Sequence, residues 1–166
     1  MARFEVALII IVGLGAIVAA KQWLGKPLRH KGVRPSDLRR FFEVLLARGG
    51  PEGMMFIETG KAKSAKFLQF RRLGPPGFGR VRMDFPDAPW SRDLFGRVRQ
   101  ISEEAGFSNS LHIPEAGTLV RAFLLVELGR DEERLAHFAA LVLVDGFGIP
   151  LEAPCLVVWF TGVAGP

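Results

Sequence analysis

The chain has no tyrosine, one cysteine and three histidines in 166 residues. Its fourteen Phe and three Trp make the aromatic content almost wholly apolar and suited to packing. A single cysteine excludes an intrachain disulfide, which is compatible with a reducing compartment. Cys155 lies in the apolar run CLVVWF and reads as a small buried hydrophobe rather than a nucleophile. His30, His112 and His137 stand far apart, and none has a second ligand at helical or hairpin spacing, so the usual metal patterns are missing. No serine sits in a nucleophile elbow.

Two glycine-bearing stretches fail as nucleotide loops. Gly60-Lys61 with Ser64 has Met55 where a phosphate loop needs glycine, and a strand pattern follows where a helix is required. GPPGFG, residues 74–79, has its glycines in the wrong order for a dinucleotide site, and Pro75 and Pro76 remove amide donors. Asp131, Glu132 and Glu133 suit the positive end of a helix dipole better than acid–base chemistry. We therefore expect no enzyme, no cofactor and no metal. Phe78, at the tip of the 74–79 turn, is the apolar side chain we assign to partner contact.

Charge is missing altogether from residues 6–20, inside the segment FEVALIIIVGLGAIVAAKQWL, residues 4–24. As a helix these residues would reach about 30 Å, the thickness of a hydrocarbon core. A signal peptide is the rival reading, and Val18-Ala19-Ala20 suits cleavage, but Arg3 is followed at once by Glu5. We read residues 1–24 as an uncleaved single-pass membrane anchor. Residues 25–34, GKPLRHKGVR, then form a basic juxtamembrane linker. Lys21, Trp23, Lys26, Arg29, Lys31 and Arg34 are assigned to the membrane interface, and they place the amino terminus outside and the domain in the cytoplasm. Gly15 with Ala19 is a small pair at four-residue spacing, the basis for expecting a homodimer through the span.

Residues 35–166 read as one soluble α+β domain. A helix is expected over 35–48 from the stripe Leu38, Phe41, Phe42, Leu45 and Leu46. Strands follow at 54–59, 66–73 and 80–85. The second helix, 91–105, has Ser91 as its N-cap, Trp90 stapled to Phe95, and Gly106 in the left-handed cap position with Phe107 over the last turn. Strands at 110–113 and 119–128, a helix capped by Asp131, and a strand at 155–161 complete the order α-β-β-β-α-β-β-α-β. Asp145-Gly146-Phe147 is read as a second helix ending of the Gly106-Phe107 type, so residues 80–113 and 121–161 share one plan. The gaps predict a mainly antiparallel sheet with about three helices on one face. This order is similar to that of small secretion-chaperone-type domains, which bind partner proteins and are not enzymes; the likeness is one of architecture.

Net charge is +5, with the positive excess near the anchor: eight Lys/Arg against two carboxylates over residues 21–48, and three against seven from Glu115 onward. Lys61, Lys63, Lys66, Arg71, Arg72, Arg80 and Arg82 would make one positive sheet face. We read it as a solvated face, or one turned to anionic headgroups, rather than a nucleic-acid surface. The function expected is an accessory or assembly subunit of a membrane complex that binds another membrane-associated protein. A membrane-tethered enzyme without a recognisable motif and an exported domain are the alternatives.

Overall fold

The computed structural model describes residues 28–48, 53–60, 66–75, 78–115 and 119–160. Among these residues seven strands form one antiparallel sheet: β1 (Leu28–Val33), β2 (Met54–Thr59), β3 (Lys66–Leu73), β4 (Arg80–Pro86), β5 (Ser108–His112), β6 (Phe123–Gly129) and β7 (Cys155–Phe160). Their spatial order is β1-β7-β2-β3-β4-β6-β5. Among the described residues three helices, α1 (Arg39–Arg48), α2 (Arg92–Glu104) and α3 (Glu132–Leu141), complete an α+β fold. β2, β3 and β4 run as a meander. The chain then crosses through α2 to the far edge at β5, returns beside β4 as β6, and crosses through α3 to insert β7 between β1 and β2.

All three helices lie on one face, as the apolar stripes require. Phe42 and Leu45 of α1, Val98 and Ile101 of α2, and Leu135 and Phe138 of α3 join one buried cluster. From the sheet it receives Met55, Ile57, Leu68, Phe70, Val81, Met83, Leu124, Val126 and Val157. The register Met55–Phe70–Met83–Val126 runs straight across four strands and keeps these side chains on one side. Phe42 meets Phe70 edge to face at 4.9 Å, seating α1 on β3. Asp131 caps α3 as its position implies, accepting from the backbone N–H groups of Glu133 and Arg134 at 3.1 Å.

A second apolar cluster occupies the opposite face, on which no described helix packs. Met54 and Phe56 of β2 and Val158 and Phe160 of β7 are buried there, with Phe67 and Leu156 packed against them. The alternation of β2 and β7 demands two apolar faces, since Met54–Ile57 and Leu156–Phe160 are apolar at every position.

Several sequence expectations are corrected. Six residues assigned to the linker are strand β1, paired with β7 through Leu28–Trp159, Arg29–Val158 and His30–Val157. Residues 35–37 form a 3-10 turn ahead of α1. Ser91 makes no capping bond to α2. Its buried hydroxyl instead donates to the carbonyl of Pro86 and accepts from the N–H of Ala88 at 3.0 Å, tying the turn after β4. Trp90 packs on Phe67 at 4.8 Å and on Phe85 at 5.9 Å, and Phe95 stacks on the same Phe85 at 6.2 Å, so the two rings of the expected staple converge on a strand residue.

The two helix endings also differ. Gly106 has φ +73° and closes α2, with Phe107 N–H bonded to Ser102 O and Gly106 N–H to Glu103 O. After α3 a π turn, Val142–Gly146, intervenes. The left-handed residue there is Gly148, at φ +71°, not Gly146, and Ile149 N–H reaches back to Leu143 O. That ring is one residue wider than its counterpart at α2. Gly146 serves packing: a Cβ there would lie 3.5 Å from Ile101 of α2.

Candidate functional site

The sheet has two edges, and their chemistry is opposite. β1 carries Arg29, His30 and Lys31, all exposed, the charge pattern that discourages strand addition. β5, SNSLH, carries no Lys, Arg, Asp or Glu. Its outer backbone N–H and C=O groups have no strand beyond them among the described residues. Three large apolar side chains on this strand and its connection to β6 are in the open: Leu111 is 52% exposed, Ile113 77% and Leu119 75%. The edge is held in place from the helix side, where Asn109 donates to Ser102 Oγ of α2 at 3.2 Å and Ser102 Oγ donates to Arg99 O at 2.7 Å. An uncharged strand paired on one side only, with exposed apolar residues on it and after it and a fixed support, is the geometry that accepts an extended peptide.

A cleft of about 350 Å³ opens between α2 and α3. Its walls include Ile101, Phe107 and Phe138, and its rim carries Glu104, His137 and Asp145. Arg134 spans it, with its guanidinium 4.2 Å above the Phe107 ring and donating to Ala105 O at 3.2 Å. Arg134 is therefore a clamp between helices. Among the described residues, no three His, Cys, Asp or Glu come together as a metal centre needs.

The expected positive face is dispersed by register. Arg72 pairs with Val81 and lies on the helix side, fully buried. It donates to the carbonyls of Leu46, Gly74 and Pro75 at 3.3, 3.3 and 3.1 Å. Arg71 and Arg82 lie on the other side around buried Asp84, Arg82 at 2.6 Å and Arg71 at 3.5 Å. Arg80 pairs with Glu127 at 3.7 Å. Lys61 and Lys63 lie outside the described residues.

Of the residues assigned to the membrane interface, Lys21, Trp23 and Lys26 lie outside the described residues, as do Gly15 and Ala19. Arg29 and Lys31 are exposed on β1. Arg34 is bound into the fold by Asp37 at 3.0 Å and Glu152 at 3.2 Å. Phe78 is 77% exposed at the tip between β3 and β4. Cys155 is buried, and burial pushes its thiol pKa up, away from a nucleophile's range. No described helix is long and apolar enough to cross a membrane, and residues 4–24 lie outside the described part.

The β5 edge is absent from the sequence-derived candidates. Its signal was there, an uncharged short strand followed by Ile113 and Leu119, but pattern alone does not say which strands are edges. No family model matches the chain, and no curated protein or solved structure matches it either.

Proposed function

We propose that this chain is a protein-binding subunit held at a membrane by residues 4–24, with its α+β domain in the cytoplasm, acting as an accessory or assembly component of a membrane complex. The observation that carries the binding role is the β5 edge: an open, uncharged strand with exposed Leu111 on it and exposed Ile113 and Leu119 in the connection that follows. The partner it suits is an extended segment of another protein, added as an eighth strand, with apolar residues to cover that trio. The anchor part of the reading rests on the uncharged run 6–20 and the basic residues after it.

The test is co-purification from detergent-solubilised membranes, comparing the native chain with the double variant Leu111→Lys and Ile113→Lys. Both side chains are exposed, so the fold tolerates the change, while a charged edge resists strand addition. Loss of a stoichiometric partner from the variant supports the reading; an unchanged partner set refutes the edge as the binding surface. Reporter fusions at the carboxyl terminus read topology, and activity only from an export-dependent reporter overturns the cytoplasmic placement.

A further inference from the structure

On the helix-free face, the side of the sheet that no described helix covers, the apolar stripe is buried although only Trp90, against Phe67 at its margin, packs there from outside the sheet among the ring contacts of the described residues. Met54 and Phe160 are each 1% exposed, and Phe56 and Val158 are buried beside them, yet α1, α2 and α3 all pack on the other face. Gln69 on the same face is buried as well. At the far end of the stripe Glu58 has its carboxyl pKa raised by desolvation, with nearby Arg29 opposing the shift. A seven-stranded sheet with one solvated face would leave these groups in water.

The apolar stripe runs over β7, β2 and β3, whose outer axes stand about 10 Å apart, the diameter of one helix. Along the strands it extends from the Phe160–Met54 pair to the Leu156–Glu58 pair. That is about 14 Å, which some nine helical residues would cover. The chain comes into the sheet beside this stripe: β1 starts at Leu28, opposite Trp159, next to Phe160. Leu24, the last residue of the apolar segment 4–24, stands four positions earlier, and residues 25–27 can span about 10 Å, the distance from a sheet to a helix packed on it. Residues 161–166, which also leave from the Phe160 end, hold only one large apolar side chain, Val163.

We infer that the helix-free face is the berth of the chain's own residues 4–24 whenever that segment is out of the bilayer. The sheet then shields the anchor in water, and insertion of the anchor uncovers Met54, Phe56, Phe67, Leu156, Val158 and Phe160 together. Only the bilayer half of this statement rests on the anchoring proposed above.

The test uses the full chain with p-benzoylphenylalanine in place of Phe67, a ring at the margin of the stripe. Light- and heavy-isotope protein are mixed, illuminated in detergent-free buffer and again with phosphatidylcholine–phosphatidylglycerol vesicles, and the crosslinks mapped by mass spectrometry. The expected result is a link to residues 4–24 of the same chain in buffer, lost from protein that floats with vesicles. The same replacement at Leu156, on the β7 side of the stripe, is expected to give the same link, which guards against a local perturbation at Phe67. Links joining light to heavy chains, links only to other segments, persistence of the link on floated protein, or precipitation of the full chain without detergent each overturn the inference. Flotation reads the anchor separately. Flotation without a buffer crosslink removes this inference and leaves the anchor; a crosslink without flotation does the reverse.

Discussion

Arg72 shows how a single residue can look functional in sequence and be structural in the fold. In the run Arg71-Arg72 it reads as part of a basic surface, but its side chain points into the helix side of the sheet and donates to three backbone carbonyls, of which Pro75 O also accepts from Phe78 N–H. The space is shaped for it: a Cβ on Gly79 would stand 2.5 Å from Arg72 Nε. Arg72→Met removes three part-buried, charge-assisted hydrogen bonds, and we expect a loss of about 1–3 kcal/mol in denaturant unfolding. Gly79→Ala, which crowds the guanidinium, should cost about 1–3 kcal/mol by the same measurement. Glu58 is the other residue with a measurable signature. Burial raises its folded pKa above the ordinary 4.5, so the folded state holds the proton longer than the unfolded state. Its unfavourable contribution is absent below pH 4.5 and grows as pH rises from there through the raised folded pKa. Glu58→Gln should therefore gain stability over the native chain at pH 7 and not at pH 4. Equal differences at the two pH values would mean that the carboxylate is not desolvated.

At the scale of elements, the helix endings discriminate between the sequence pattern and the backbone. The triplets Ala105-Gly106-Phe107 and Asp145-Gly146-Phe147 look alike, yet the π turn moves the left-handed position to Gly148. Gly148→Ala should cost about 1–2 kcal/mol in thermal or denaturant unfolding, because its φ of +71° disfavours a Cβ. Gly146→Ala meets neighbours only at 3.5 Å or more and should change stability far less. The three helices, the bounds of β2 and β3, and the α+β class were legible because apolar spacing of 3.6 or 2 residues reports burial directly. β1 was not legible, since LRHKGV is exposed at five of its six positions and has no apolar alternation. Nor could the basic residues be sorted onto two faces without the register, which long-range pairing decides. The candidate site was hidden for the same reason: β5 is an edge only because β6 and β7 are inserted out of sequence order.

At the scale of the whole molecule, the position of β1 explains why a basic segment soon after the apolar run 6–20 is also a piece of the sheet. β7, CLVVWF, is uncharged, strongly β-prone and free of proline, the composition that adds strands to itself when left at an edge. β1 takes the place beside it, and Arg29, His30 and Lys31 turn the new edge into one that repels further pairing. A domain cut at residue 35, where the helical pattern begins, would keep the three helices and lose this guard. Comparing a chain lacking residues 1–24 with one lacking residues 1–34 isolates the effect, because both lack the apolar segment and only the second uncovers β7. We expect the shorter chain alone to give fibres that bind thioflavin, at a rate that rises with protein concentration. If the two truncations aggregate alike, edge protection by β1 is not what keeps the sheet from growing.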